Sequence, residues 1–221
     1  MQYMLRKWKD LPEWMRIPEV KKYYDILSKR KVSLALKRIF DLVVSVAALI
    51  MLSPLMLLIV FIITLDSPGG VFYRQVRITS YGQEFHIHKF RTMFANADKM
   101  GSQVTVKYDL RITRVGAFLR KYRLDELPQL LDIAAGNMLL VGTRPEVPRY
   151  VDQYTNEMRA TLLLPAGVTS EASIRYKDEA ELLDGAEDAD KIYVEKNPSG
   201  LNDILRCLRG VGKLFICMMQ H

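Results

Sequence analysis

The main feature in the pattern of hydrophobic and polar positions is an uncharged apolar run over residues 42–65, with Ser53-Pro54 at its middle. About 20 apolar residues are enough for a helix to cross a bilayer, but a proline removes a backbone donor and clashes with the preceding turn. Basic residues, which favour the cytoplasmic side of a membrane, lie on both sides of the run, within residues 29–38 and 74–91. The pattern therefore predicts a membrane element whose two ends prefer the same side.

Three structures compete for this run: a kinked single span, a buried core helix of a soluble domain, and a re-entrant hairpin that turns at Ser53-Pro54. A core helix of this length would normally be amphipathic, whereas this run is apolar all round. The re-entrant hairpin agrees with both basic flanks, and the Ser53 hydroxyl is available for a backbone group freed near the proline. We therefore favour the hairpin.

The remaining pattern predicts an α-rich α+β fold. Residues 1–36 form a basic amphipathic extension, residues 37–66 the broken membrane helix, residues 67–200 a compact cytoplasmic domain, and residues 201–221 an amphipathic helix. Short strands are expected at residues 71–73 and 85–88, around a Tyr81-Gly82 turn. Helices are expected over residues 115–131, with a kink or restart at Pro128, and over residues 147–163. The extension and the final helix each suit a bilayer interface, while packing on a partner chain or in the core stays open.

Charge is unevenly distributed along this chain of 221 residues, whose formal net charge is +7. Residues 71–123 contain 11 Lys and Arg residues against three acidic residues, and this basic segment follows the apolar run directly. Such a placement indicates anionic lipid headgroups or a phosphorylated ligand. Nucleic acid, the general alternative for a basic protein, is disfavoured because no nucleic-acid-binding motif is present. The two cysteines have no metal-ligand spacing, and residues 1–40 do not resemble a cleavable signal peptide.

The most suggestive pair for chemistry is Asp125-Glu126. Adjacent residues on an α-helix point about 100° apart, so these carboxylates would hold different roles, one attacking or relaying a proton and the other holding a cation. A pair of ordinary surface acids is the plain alternative, but cations surround the pair in sequence: Lys89, Arg91, Arg111, Arg114, Arg120, Arg123 and Arg144. This combination suits a diphosphate substrate with a divalent ion. The chain has no glycine-rich phosphate loop, so side chains and metal would have to bind the phosphates.

Six ordered motifs within residues 37–167 resemble the bacterial sugar transferase family, the monotopic phosphoglycosyl transferases. They are Lys37-Arg38-Ile39-Phe40-Asp41, Ser53-Pro54, Lys89-Phe90-Arg91-Thr92-Met93, Arg111-Ile112-Thr113-Arg114-Val115-Gly116, Leu124-Asp125-Glu126-Leu127-Pro128-Gln129-Leu130 and Val141-Gly142-Thr143-Arg144-Pro145. Any one of these motifs is weak alone, whereas six in order at fitting spacing are specific.

The resemblance implies that a sugar 1-phosphate moves from a nucleotide diphosphosugar, expected to be a UDP-sugar, to a polyprenol phosphate such as undecaprenyl phosphate. It implies that Asp125 is the nucleophile, which forms a phosphosugar-aspartate intermediate, and that Glu126 is the ligand of Mg²⁺. It also implies phosphate contacts for four basic residues, namely Lys89, Arg91, Arg120 and Arg144, and a re-entrant break at Ser53-Pro54.

We expect the chain to catalyse the first membrane step of glycan assembly, at the cytoplasmic face of the bacterial inner membrane. Its expected partners are the nucleotide sugar, the polyprenol phosphate and membrane lipids, with no nucleic acid, while the oligomeric state, including a homo-oligomer, stays open. A non-enzymatic adaptor that binds anionic lipids is the alternative from another class. A membrane-anchored glycosyltransferase, which would release a nucleoside diphosphate, is the alternative enzyme.

Overall fold

A computed structural model describes residues 5–95, 97 and 109–170. Within these ranges the fold is helix-rich with two small sheets, in agreement with the predicted α-rich α+β class. The helices are α1 (Pro18–Ser28), α2 (Lys31–Asp66), α3 (Arg114–Lys121), α4 (Gln129–Ala135) and α5 (Pro148–Val151), and the strands are β1 (Phe72–Ile78), β2 (Glu84–Phe90), β3 (Met138–Val141) and β4 (Ala166–Thr169). The acidic segment over residues 171–200 and the predicted helix over residues 201–221 lie outside the described residues.

The long helix α2 contains the whole apolar run and continues through Pro54 without interruption. Pro54 has no N–H to donate to the carbonyl of Ile50, and the Ser53 hydroxyl donates to that same carbonyl oxygen at 2.8 Å. This contact confirms the expected hydrogen bond from Ser53 to a freed backbone group and explains how the helix tolerates the proline, while the re-entrant break at Ser53-Pro54 stays a prediction. The helix is long and apolar enough to cross a membrane, and only 11% of its most apolar window is buried.

Strands β1 and β2 form the predicted hairpin, and it is longer than the sequence pattern indicated. The strands pair antiparallel from Phe72 opposite Phe90 to Ile78 opposite Glu84, and they place Tyr73 opposite Lys89. Tyr81, at the turn, adopts a left-handed conformation with φ 60°. The hairpin therefore carries Lys89 on a rigid element that begins close to the end of α2.

The N-terminal extension packs into the core of the folded domain. Tyr24 and Leu27 of α1 are buried in one apolar cluster with Tyr81 and Leu163. The Tyr24 hydroxyl donates to the carbonyl of Arg6, and the N–H of Arg6 donates to the Tyr81 hydroxyl at 3.0 Å. Protein atoms therefore bury Tyr24, so this part of the extension packs within the chain and not at a bilayer interface or on a partner chain, the two alternatives that the sequence left open for the extension.

The predicted helix over residues 115–131 is interrupted earlier than expected, because a turn separates α3 from α4, whereas the predicted restart at Pro128 is confirmed. Helix α3 ends at Lys121, and Arg123 adopts a left-handed backbone conformation with φ 57°, which an α-helix cannot contain. A 3₁₀ turn over Leu124–Glu126 follows, and α4 starts after Pro128. The Asp125-Glu126 pair, called the dyad below, therefore lies on a short turn between two helices.

The predicted helix over residues 147–163 is also shorter than expected. It divides into α5 and a 3₁₀ segment over Met158–Leu163, and Tyr154, which lies between them, packs against the cluster of the N-terminal extension. The sequence pattern also missed the parallel pairing of β3 with β4. A Cβ on Gly167 would lie 2.1 Å from the backbone N of Gly142, so the two strands approach closely at glycines just before Arg144.

Candidate active site

The Asp125-Glu126 pair lies on the 3₁₀ turn that follows the left-handed residue Arg123. Asp125 is 9% exposed, and burial raises the pKa of its carboxyl above the ordinary value, although Lys89 and Arg120 act against this rise and Glu126 adds to it. A buried carboxylate with a raised pKa is more basic than a solvated one, and perturbed carboxyls of this kind mark functional sites. Asp125 therefore has the environment of a reactive group.

Glu126 differs from its neighbour because it is directly paired. Lys89 Nζ donates to Glu126 Oε1 at 2.8 Å, and Arg123 Nη1 lies 3.9 Å from the same oxygen. Burial alone would raise the pKa of Glu126, but Lys89, Arg123 and Arg144 outweigh it and hold the pKa below its ordinary value. The two adjacent carboxyls are therefore shifted in opposite directions, which confirms that they occupy different electrostatic environments.

Arg120 is a further cation at this site. Its Nε donates to the Thr92 hydroxyl at 2.8 Å, and burial lowers its pKa while the charges of Asp125 and Asp109 act in the opposite direction. Arginine stays charged even under such burial. Thr92 thereby orients a permanent positive charge beside the candidate nucleophile.

The close approach of α3 to the strand region depends on Gly116. A Cβ at this position would lie 2.0 Å from the carbonyl oxygen of Thr92. The Thr113 hydroxyl caps the same helix by accepting from the N–H of Gly116 at 2.9 Å, and the N–H of Thr113 donates to Thr92 O at 3.0 Å. These contacts fix α3, and with it Arg120, against Thr92.

Arg144 is positioned by the loop that leaves β3. The N–H of Gly167 donates to the carbonyl of Thr143 at 2.7 Å, so β4 holds this loop in place. The structure therefore brings the predicted residues Lys89, Arg120 and Arg144 to the dyad, since each contributes to the pKa of Asp125 or Glu126. Their contact with phosphate stays a prediction.

Arg91 and the Ser53-Pro54 pair lie elsewhere in the fold. The Arg91 guanidinium donates to Ser67 and Pro68 in the turn after α2, and it is not among the cations that shift the pKa of either dyad carboxyl. Ser53 and Pro54 are exposed within α2. The sequence motif grouped Arg91 with Lys89, and only Lys89 is seen beside the dyad.

Comparison with models of protein families identifies the family of the chain. The model for the family described as "Bacterial sugar transferase" matches residues 32–216. The chain belongs to the bacterial sugar transferase family. The match begins at α2, so α1 and the residues before it lie outside the part that the family shares.

Individual relatives in this family include well-matched proteins from three bacteria. A UDP-N-acetylgalactosamine-undecaprenyl-phosphate N-acetylgalactosaminephosphotransferase of Aeromonas hydrophila is 42% identical over 56% of this chain and 29% of its own length. A Bacillus subtilis protein, provisionally named an undecaprenyl-phosphate N-acetylgalactosaminyl 1-phosphate transferase, is 36% identical over 67% of this chain and 82% of its own. A UDP-glucose:undecaprenyl-phosphate glucose-1-phosphate transferase of Klebsiella pneumoniae is 36% identical over 74% of this chain and 37% of its own. The chain thus spans well under half of two relatives and most of the third.

Sequence reasoning missed several residues of this sugar transferase site. Thr92 was seen only as part of a motif, and Tyr73 was placed on a strand without its register, although it lies opposite Lys89 and its hydroxyl affects the pKa of Arg120. Asp132 of α4 was also missed. Its carboxylate accepts from the backbone N–H of His88 at 2.9 Å and lies 2.8 Å from His88 Nδ1, so it ties α4, the helix that follows the dyad, to the strand that carries Lys89.

The carboxylates at the dyad are too few for a metal site built from protein ligands alone, but they fit a Mg²⁺ ion that also binds substrate phosphates. Among the described residues, no group of three or more His, Cys, Asp or Glu side chains forms a metal cluster. Mg²⁺, however, is commonly held by one or two carboxylates together with substrate phosphates and water. Glu126, with its lowered pKa and partial exposure, meets that smaller requirement.

Proposed function

We propose that this chain is a phosphoglycosyl transferase, which moves a sugar 1-phosphate from a UDP-sugar to a polyprenol phosphate. The observation that carries the proposal is the buried Asp125, with its raised pKa, beside an ionised Glu126 and four cations, namely Lys89, Arg120, Arg123 and Arg144. The family membership and the undecaprenyl-phosphate transferases among the relatives support the same reaction. We infer undecaprenyl phosphate as the acceptor on that basis.

The first step is an attack by a carboxylate oxygen of Asp125 on the phosphorus that carries the sugar. A new P–O bond forms to Asp125, and the bond from that phosphorus to the bridging oxygen of the diphosphate breaks. The nucleoside monophosphate leaves with the bonding electrons. Lys89, Arg120 and Arg144 supply positive charge to the phosphoryl oxygens, where charge stabilisation is the main contribution that a protein makes to phosphoryl transfer.

The second step regenerates the enzyme. A phosphate oxygen of the polyprenol phosphate attacks the phosphorus of the phosphosugar-aspartate, and the P–O bond to Asp125 breaks. The products are a polyprenol diphosphosugar and the free Asp125 carboxylate. Atoms and charge balance across the two steps without any further reactant.

Glu126 would hold Mg²⁺ together with the donor's phosphates. When bound, the ion supplies further positive charge to the diphosphate oxygens. The contribution of Glu126 itself is to remain ionised, and the pairing with Lys89 at 2.8 Å achieves this. Lys89 also keeps the carboxylate in one position before the substrate arrives.

Helix α2 would enter the cytoplasmic leaflet of the bacterial inner membrane and return to the same face, bending near Ser53-Pro54. Contacts at its two ends support this arrangement. Arg38 donates to the carbonyls of Ile133 and Ala134 at the end of α4, while Ile59 belongs to a cluster against which Leu127, just before α4, packs. A straight helix would separate Arg38 from Ile59 by about 32 Å, whereas α4 is only about 10 Å long.

The topology is testable by labelling single cysteines introduced at Arg30 and Arg74 in sealed inner-membrane vesicles. The hairpin predicts that a membrane-impermeant maleimide reaches both positions from the same side. Labelling from opposite sides would establish a kinked span instead. Both positions lie on hydrophilic flanks of the apolar run. The labelling reports the topology of the chain whether or not the enzyme is active.

The reaction is tested by product identity and by one matched pair of variants. Purified protein with Mg²⁺, polyprenol phosphate and a panel of UDP-sugars should release UMP, and Asp125→Asn should abolish this release. Asp25→Asn, which changes an exposed surface pair on α1, should leave it intact. UDP as the product would identify a glycosyltransferase, full activity of D125N would remove Asp125 as nucleophile, and no nucleotide release with any sugar would favour the adaptor.

A further inference from the structure

Arg91 occupies an enclosed position at the junction between α2 and β2. Its side chain is 9% exposed. Nη2 donates to the carbonyl oxygen of Ser67 at 2.6 Å and to the Ser67 hydroxyl at 3.0 Å, and Nη1 donates to the carbonyl oxygen of Pro68 at 3.0 Å. The backbone N–H of Arg91 also donates to Val71 at 2.8 Å. One residue thus makes four hydrogen bonds to the segment that leaves the apolar helix.

The turn is shaped to accept this guanidinium. Gly69 has φ +126°, a conformation that side chains rarely adopt, and a Cβ there would lie 2.2 Å from Arg91 Nη1. Ser67 is itself buried, and its N–H donates to the carbonyl of Ile63 in the last turn of α2. The contacts of Arg91 therefore reach the end of the helix directly.

The acceptors at this junction are neutral, which separates Arg91 from the cations of the active site. No carboxylate of the described residues pairs with Arg91, and its buried Nε has no hydrogen-bond partner among them. A buried charge is costly unless hydrogen bonds replace its water, and the planar fork of arginine suits several carbonyls at once. Lysine, which offers a single compact ammonium group, cannot reproduce this set.

We propose that Arg91 is a positioning residue, which fixes the end of α2 to the strand that carries Lys89 and so sets where the membrane-bound acceptor meets Asp125. This inference rests on the proposed function. It differs from the phosphate contact that the motif implied, because the guanidinium is already enclosed by Ser67, Pro68 and Gly69. Only Phe90 separates Arg91 from Lys89, so the junction lies directly beside the strand that carries the Lys89–Glu126 pair, while the pairing of Lys89 with Tyr73 and its contact with Glu126 hold Lys89 independently of the Arg91 guanidinium.

The half-reactions separate the two roles of Arg91. Formation of the phosphosugar-aspartate uses the soluble donor and is measured as UMP release in a single turnover without acceptor. For Arg91→Lys we expect this step to stay within about threefold of wild type, because Glu126 and the β1–β2 pairing keep Lys89 in place, and transfer to polyprenol phosphate in vesicles to fall at least tenfold. A loss of UMP release with a raised KM for the donor would instead make Arg91 a phosphate ligand. Arg120→Ala, which alters the active site, should show that second pattern.

Hydrogen exchange provides a readout that does not need activity. With the chain in nanodiscs, Arg91→Lys should speed amide exchange at Ser67 and at position 91, while the amides of β1 stay protected. Ser67→Ala removes the contact of Arg91 Nη2 with the Ser67 hydroxyl and should give the same change to a smaller extent. This second variant keeps the test decisive if R91K fails to fold. Unchanged exchange in both variants would overturn the positioning role. If wild-type protein releases no UMP with any UDP-sugar, the proposed function fails, and the exchange result still decides whether the junction exists.

Discussion

Replacing Lys89 by Met tests how the site keeps Glu126 ionised. Two unit charges at the observed 2.8 Å attract by about 6 kcal/mol at an effective dielectric constant of 20. Much of that attraction is offset by desolvation, and hydrogen bonds to charged groups have net values of about 1.5–3 kcal/mol. With side chains that are 24% and 20% exposed, this lower range is appropriate. We therefore expect turnover at neutral pH to fall roughly ten- to hundredfold.

The pH dependence gives a sharper result than the loss of turnover. Because Lys89 helps to hold the pKa of Glu126 below its ordinary value, the stabilisation from this carboxylate is present above the ordinary pKa and is lost as the pH falls through the lowered one. Without Lys89, only Arg123 and Arg144 would oppose the effect of burial, so the pKa of Glu126 should rise, and the pKa of Asp125 should rise further because Lys89 lowers it as well. Both changes should move the acid limb of turnover to higher pH.

The assay is UMP release as a function of pH for wild type, K89M and K89R. K89R keeps the charge and should keep the position of the acid limb. Lys21→Met is the matched control, because Lys21 and Asp25 form a pair of similar length that is about half exposed and such pairs contribute about 0–1 kcal/mol. An acid limb that stays at the wild-type pH in K89M, despite a loss of turnover, would refute the electrostatic reasoning.

Three further predictions concern single contacts of the site. Asp125→Asn should raise the melting temperature at neutral pH, since folded-state burial penalises the charged carboxylate, and single stabilising substitutions commonly gain about 0.5–2 kcal/mol. A lower melting temperature by calorimetry would contradict this. Gly116→Ala should displace α3, because its Cβ would lie 2.0 Å from the Thr92 carbonyl oxygen, and a melting curve identical to wild type would contradict that close approach. Thr92→Val removes the acceptor of the Arg120 hydrogen bond and should raise the donor KM by about tenfold, in line with about 1–1.5 kcal/mol for a lost hydrogen bond, whereas an unchanged KM would show that Arg120 needs no support.

Elements that depend on neighbouring residues could be predicted from the sequence. The apolar run predicted α2, and the alternation around Tyr81-Gly82 predicted the β1–β2 hairpin, because periodicity and turn chemistry depend on neighbouring residues. Lys89, Arg120 and Arg144 lie close enough to the dyad to affect the pKa of Asp125 or Glu126, and their contact with phosphate stays a prediction. Their motifs mark the ends of elements that meet in space.

The features that sequence reasoning missed depend on long-range contacts. The break between α3 and α4 follows from the left-handed backbone at Arg123, a residue type that gives no sign of that conformation. The position of Arg91 depends on the turn at Gly69, and the burial of Tyr24 depends on Tyr81 and Leu163, all distant in sequence. In each of these three cases, contacts between residues distant in sequence determine the conformation or position, and the local sequence pattern does not show them.

The most direct test of the account is the mass of the protein after reaction with the donor alone. Wild-type enzyme incubated with a UDP-sugar and Mg²⁺, without polyprenol phosphate, should gain the mass of one phosphosugar group, located on the peptide that contains Asp125. D125N should gain none, and addition of polyprenol phosphate should remove the group from wild type. An unmodified wild-type protein that releases UMP only when the acceptor is present would contradict the covalent aspartate intermediate.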